Sequence, residues 1–268
     1  MAPVLTLLTD FGAGSGHPAQ MKAVLLGRLP DAVLVDVSHE VPAFDVLAGA
    51  LLLEACVRWF PPGAVHIAVV DPGVGTGRRA LVVVDPEGRR LVGPDNGLLT
   101  PFLGPGARIH AIEPGRAVPV PASATFHGRD LFAPAAALIA GGADPAELGP
   151  AVADPVRLDW PVATRRGGEV EGITLASDGF GNLVTSVTER DLGGEAVIAA
   201  WVAGRTARFV RTFGEAGKGE LCAYLGSSGR VEVAVREGSA AERLGGVRGH
   251  AIRLGLGGPA LGVEATGC

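Results

Sequence analysis

Along the first half of the chain, solid apolar runs alternate with segments whose apolar residues recur every three or four positions. VLTLLTD at 4–10, AVLVDV at 32–37, AVHIAVV at 64–70 and ALVVVDP at 80–86 read as strands. PAQMKAVLLGRL at 18–29 reads as a helix stopped by Pro30, and DVLAGALLLEACVRWF at 45–60 as a second helix with Asp45 as N-cap and PPG at 61–63 as its end. This β-α-β-α-β rhythm predicts a mostly parallel sheet with helices on its faces. Ligands of such sheets sit at the carboxyl ends of the strands, so Asp10, Asp36 and Asp71, each following an apolar run, are expected along one rim.

The texture changes at PAVADPVRLDWPVATRRGG, residues 150–168, where proline and arginine accumulate. Beyond it come short alternating runs separated by glycine-rich turns: VEGITLAS, NLVTSV, AVIAAWVAG, ARFVRTF, ELCAYLG, RVEVAVRE and HAIRLGLG. Repeated short strands of this kind predict a compact all-β domain, a barrel or small sandwich. The expected organisation is an N-terminal α/β domain over 1–158, a linker over 159–168 and a smaller all-β domain over 169–268.

Composition narrows the function classes. The chain has 268 residues, enough at 47% hydrophobic content to fill a real core, and its formal charge of -5 argues against a nucleic-acid footprint. Lysine occurs only at Lys22 and Lys218, so arginine supplies nearly all the positive charge and is weaker evidence for function than usual. Cys56, Cys222 and Cys268 are odd in number and widely spaced, fitting neither a disulfide framework nor a zinc site, and a reduced, cytoplasmic setting is expected. The start of the chain shows no export signal, and the uncharged window from Leu131 to Ala143, broken by Pro134, is too short to span a membrane.

Several short stretches have chemical potential. VDPGVGTGRR at 70–79 makes a tight turn, either a cradle for phosphate or a loop that aims the Asp71 carboxylate. A phosphate loop would be followed by a lysine and a helix; here arginines and a strand follow. In LTDFG at 8–12, Asp10 is placed either to accept two hydrogen bonds from a vicinal diol such as a ribose or to cap a turn. FHGRDLFAP at 126–134 sets His127 at the junction with a helix expected to begin near Asp130. Were Asp71, Arg78 and His127 to converge, the carboxylate and imidazole would polarise a water while the guanidinium held the resulting anion. His17, His39, His66, His110 and His250 lack metal-ligand spacing, and no metal is assigned. PDNGLLT at 94–100 is turn chemistry. SDGFGNLVTS at 177–186 reads as a hairpin whose Phe180 offers a face to a base and whose Asn182 offers a donor and an acceptor to an adenine edge, although its glycines are also ordinary hairpin chemistry. LGSSGR at 225–230 suits a carboxylate, as do many loops.

Together LTDFG, DVSHEVPAFDV, DPGVGTGRR, LVGPDNGLLT, FHGRDLFAPAAA, DGFGNLVTS and GSSGRVEVAV, in this order along nearly the whole chain, resemble the S-adenosyl-L-methionine (SAM) hydroxide adenosyltransferases, relatives of the SAM-dependent fluorinase and chlorinase. The resemblance implies an α/β first domain, a C-terminal β-barrel and a homotrimer with sites between the first domain of one subunit and the second of its neighbour. It implies that Asp10 binds the ribose hydroxyls, Phe44 packs beside the nucleoside, Phe180 and Asn182 hold adenine, and Ser227 and Ser228 grip the methionine end. Asp71, Arg78 and His127 match the trio that activates water, where the halogenating relatives have a neutral side chain in place of Asp71. The implied reaction is in-line attack of water at C5′ of the ribose, giving adenosine and methionine with SAM as substrate, no cofactor and no metal.

The chain departs from the family pattern after TDFG, where Ser15 and His17 stand at places commonly held by an Asp and an aromatic. Two other expectations stand beside hydrolysis: a SAM-dependent halogenase using chloride, and a SAM or adenosine binding module without turnover. A carboxylate repels an anion about 4 Å away by roughly 1 to 4 kcal/mol, which favours water over chloride.

Overall fold

The computed structural model describes residues 2–259, and the chain divides into two compact units between Trp160 and Pro161. Cys268 and the rest of the stretch from 260 onward lie outside the described residues.

The first unit is built on a six-stranded sheet of β1 (Val4–Thr9), β2 (Val33–Ser38), β3 (Val65–Val69), β4 (Ala80–Val84), β5 (Arg90–Pro94) and β6 (Arg108–Ala111), in the order β2-β1-β3-β5-β4-β6. β2, β1, β3 and β5 run parallel; β4 pairs antiparallel with both β5 and β6, so β4 runs against the other five strands. Both faces are covered, which is why the strands read as unbroken apolar runs rather than alternating ones. On one face Leu5, Leu7 and Ile67 pack with Met21 and Leu25 of helix α1 (His17–Arg28) and with Ala136 and Ile139 of helix α3 (Ala133–Ala140). On the other, Leu8, Ala68 and Leu81 pack with Ala50, Leu53 and Val57 of helix α2 (Val46–Val57).

Local signals account for the helix ends. Asp45 caps α2, its Oδ1 accepting the Ala48 N–H at 2.9 Å. α1 stops at Arg28, its carbonyl ladder closed by the Leu29 N–H to Leu25 O just before Pro30. Asp36 departs from expectation: it lies within β2 rather than after it, and its carboxylate is held by Lys22 Nζ at 2.5 Å and His39 Nε2 at 3.0 Å. Asp10 and Asp71 line one cavity together.

The second unit is all-β. Strands β8 (Glu169–Ser177), β9 (Leu183–Thr188), β10 (Glu195–Val202), β11 (Arg205–Phe209), β12 (Leu221–Leu225), β13 (Arg230–Val235) and β14 (Ala251–Pro259) pair in the order β14-β10-β11-β12-β13-β9-β8, and β14 pairs back onto β8. The ring is therefore a closed barrel, which leaves its member strands without open edges. Val170, Leu183, Val202, Val231, Val233 and Leu254 fill it. β7 (Thr164–Arg166), within the stretch expected as linker, pairs with the start of β8. The chain is thus α/β in its first unit and a β-barrel in its second, as the rhythm of the two halves predicts.

Candidate active site

The turn between β3 and β4 aims side chains; it does not cradle an anion. Val74 N–H bonds Asp71 O and Thr76 N–H bonds Gly73 O, tying the loop to itself. Gly75 has φ +79°, and a Cβ there would sit 2.9 Å from the Ala124 carbonyl oxygen, so no other residue fits without movement. This closure brings Arg78 back onto Asp71. Arg78 Nε lies 3.0 Å from each Asp71 carboxylate oxygen, and Nη2 donates to Oδ2 as well. Both side chains are buried, 9% and 5% exposed, so the pair is held out of water and fully matched in charge.

His127 completes the cluster from a distant part of the chain. It precedes a π-helical turn, Gly128–Phe132, that runs into α3. Pro134 lacks the N–H that would bond the carbonyl of Asp130, and the wider register, with the Ala133 N–H on Gly128 O, accommodates the gap. Arg78 Nη2 lies 3.0 Å from His127 Nδ1, and Arg78 Cζ stacks 5.1 Å from the centroid of Phe132. A guanidinium only donates, so Nδ1 is the acceptor, and the neutral imidazole carries its proton on Nε2. Burial, and then the charge of Arg78, hold the imidazole pKa below its usual value against the opposing pull of Asp71 and Asp130. With Nδ1 taken by Arg78, the other ring nitrogen of the imidazole is left as an N–H donor rather than a free base.

Asp71 and His127 line a cavity of about 230 Å³ together with Asp10, Phe11, Phe44 and Phe126. Asp10 Oδ2 accepts the Phe44 N–H at 2.9 Å, and Phe44 has φ +66°, a conformation costly for an aromatic residue. The carboxylate therefore holds the backbone that displays the Phe44 ring, which is 70% exposed, while its other oxygen has no protein hydrogen bond among the described residues. His17 opens α1 and packs edge-on against Phe126 with centroids 4.8 Å apart. The Ser15 hydroxyl is buried without a hydrogen-bond partner among the described residues.

In the second unit, Phe180, Asn182 and Ser227 line a single cavity of about 990 Å³. Phe180 sits at the tip of the β8–β9 hairpin, 83% exposed. Ser228 is placed next to this wall, its hydroxyl buried and without a partner among the described residues. The sequence reading missed three residues here. Asp178 accepts the N–H groups of Phe180 and Asn182 at 2.9 Å each, an arrangement legible in hindsight from an Asp placed two before a turn residue. Tyr224 and Glu232 are direct cross-strand partners on β12 and β13, and the phenol donates to Glu232 Oε2 at 2.6 Å. Burial pushes the Glu232 carboxyl above its ordinary pKa. A Cβ at Gly226 would collide with that carboxyl, so a larger residue in the loop carrying Ser227 and Ser228 would require the Glu232 side chain to move.

Comparison with known proteins gives this arrangement a family. The SAM hydroxide adenosyltransferase N-terminal domain matches residues 5–149, and the SAM hydroxide adenosyltransferase C-terminal domain matches residues 172–253. The chain belongs to the SAM hydroxide adenosyltransferase family. An (R)-S-adenosyl-L-methionine hydrolase from Thermus thermophilus is 44% identical over 264 residues, covering 95% of this chain and 100% of its own length. A fluorinase from Actinoplanes sp. is more distant, 30% identical over 218 residues that cover 71% of this chain and 73% of the fluorinase. The crystal structure of an uncharacterized conserved protein from Thermotoga maritima superposes with a TM-score of 0.84 at 32% identity, over 93% of this chain and 99% of that one. Family membership thus spans both units, and the motifs that carried the resemblance fall inside the matched segments.

Proposed function

We propose that this protein hydrolyses S-adenosyl-L-methionine to adenosine and L-methionine, with Asp71, Arg78 and His127 as the water-activating group. The observation that carries it is the single guanidinium bonded at once to a buried carboxylate and to an imidazole beside a cavity. A carboxylate has about four acceptor positions, and Arg78 leaves Asp71 at least one to hold and finally accept a proton of the water. His127 donates its Nε2 hydrogen to the same oxygen and so fixes the remaining lone pair toward carbon. The new O–C5′ bond forms as C5′–S breaks, the bonding pair goes to sulfur, and methionine departs as a neutral thioether. The displaced water proton passes through Asp71 to solvent. The sulfonium already carries the positive charge that drives departure, so the reaction needs neither metal nor cofactor.

Asp10 takes the ribose hydroxyls with its unoccupied oxygen, and Phe44 covers the nucleoside. Phe180 and Asn182 hold adenine, and Ser227 with Ser228 holds the methionine end. The first unit's cavity is smaller than the roughly 300–1,000 Å³ of ordinary small-molecule sites, which supports a site completed by another subunit's second unit, in a homotrimer. The bare rings of Phe44 and Phe180 support the same assembly. Among the described residues no helix is long and apolar enough to cross a membrane, and the unpaired thiols of Cys56 and Cys222 support a reducing, cytoplasmic setting. Arg78 is matched by Asp71 and leaves no net positive charge to attract a halide, which favours water over chloride.

Incubation with SAM, with and without chloride, followed by chromatography tests this. Adenosine in both supports it; a 5′-chloro nucleoside establishes the halogenase, and calorimetric binding without product establishes a binding module. Asp71→Asn and His127→Ala are expected to bind SAM while turning it over about 10² to 10⁴ times more slowly. Full activity in both removes the trio from the mechanism.

A further inference from the structure

Asn182 presents a purine edge only if its amide faces one way, and a neighbouring carboxylate decides which way. Asp178 Oδ2 accepts a hydrogen from Asn182 Nδ2 at 2.8 Å, while Oδ1 is occupied by the N–H groups of Phe180 and Asn182. An ionised carboxylate accepts and never donates. Turning the amide by 180° would set its carbonyl oxygen against Asp178, an unpaired and repulsive contact at a residue only 5% exposed. Asn182 is therefore left with one N–H and its carbonyl oxygen to offer the cavity it lines.

We propose that Asp178 is a positioning residue that locks the Asn182 amide and thereby makes the site select a 6-aminopurine over a 6-oxopurine. This rests on the proposed holding of adenine by Asn182. An exocyclic amino group donates to the locked carbonyl while a ring nitrogen accepts the remaining N–H, the pairing by which asparagine reads adenine. A 6-oxo group places a carbonyl against that same carbonyl. The rest of the loop does not depend on the negative charge: Asn at 178 retains an oxygen for the two backbone N–H groups, and its own amide hydrogens then draw the Asn182 oxygen round.

The test compares kcat/KM for SAM and for its 6-oxo analogue, S-inosyl-L-methionine, in the wild type, Asp178→Asn and Asn182→Ala. The wild type is expected to prefer SAM by about tenfold or more, and Asp178→Asn to lose about tenfold of that preference. A role confined to folding the hairpin lowers both substrates equally and leaves the ratio unmoved, which overturns the proposal. The ratio cancels the amount of active enzyme, so partial unfolding does not obscure it. If Asn182→Ala leaves the ratio at its wild-type value, the adenine assignment itself fails; if Asn182→Ala moves it and Asp178→Asn does not, only the lock fails. Should Asp178→Asn yield no active protein, inhibition of the wild type by the free nucleosides decides. Adenosine binding about tenfold or more tighter than inosine upholds the lock, and equal inhibition overturns it.

Discussion

Replacing Arg78 by Met probes whether the three polar side chains act as one buried unit. The substitution keeps an aliphatic stem but removes every hydrogen bond to Asp71, the bond to His127 Nδ1 and the stacking on Phe132. Asp71, with its side chain 5% exposed, is left as an uncompensated buried charge, a change that costs about 3–5 kcal/mol. At about 2–4 °C per kcal/mol for a unit of this size, melting of the first unit falls by about 6–20 °C. Arg78→Met combined with Asp71→Leu removes both charges and is expected to recover most of that loss. The imidazole responds separately. After burial, the charge of Arg78 is what holds the His127 pKa down, and Asp71 and Asp130 pull it up; without Arg78 the pKa rises. Differential scanning calorimetry and a histidine NMR titration read the two effects independently. A melting temperature within about 2 °C of wild type, together with an unmoved His127 titration, would refute a buried, coupled trio.

Phe180→Ala removes a ring available for stacking on the base and is expected to raise KM for SAM about tenfold, with kcat little changed; an unchanged KM removes Phe180 from the nucleoside site. Phe44→Gly relieves the left-handed backbone, so stability is expected to stay level or rise by about 1 kcal/mol while KM for SAM rises, and a clear loss of stability would count against strain at φ +66°. His66 is 2% exposed, bonded to Thr6 Oγ1 at 2.9 Å, and burial followed by the charge of Arg89 pushes its pKa down to about 4. Its neutral form therefore contributes stability that is complete above pH about 6.5 and is lost as pH falls toward about 4, worth roughly 3 kcal/mol across that window. A His66→Gln protein should show a flatter acid limb in denaturant melts between those limits, and an identical limb would rule His66 out as its source.

The local rules of the chain are legible in its sequence, and the long-range ones are not. Asp45 announces a helix start because its partner, Ala48, lies within one turn, and Pro30 marks an end for a reason intrinsic to proline. ALVVV at 80–84 is plainly a strand, yet its antiparallel direction is invisible because a strand buried on both faces shows no alternation to orient it. The link between Asp71 and Arg78 spans one turn and was open to inference; that between Arg78 and His127 bridges 49 positions and depends on the sheet bringing two loops together. Asp36 misled because an acid within an exposed edge strand and one at a strand's end look alike in sequence. Tyr224 and Glu232 escaped notice for a related reason: their pairing exists only through the register of β12 on β13.

The turn between β3 and β4 is a buckle fastened twice, by its own backbone and by the Arg78 side chain reaching back to Asp71. A segment already fastened spends no ordering entropy when a guest arrives, so the substrate meets a rigid socket rather than a closing hand. Rigidity of that kind is unforgiving: one residue inserted between 72 and 77 would unfasten the buckle and separate the two charges, although the same insertion in an open barrel loop would pass unnoticed.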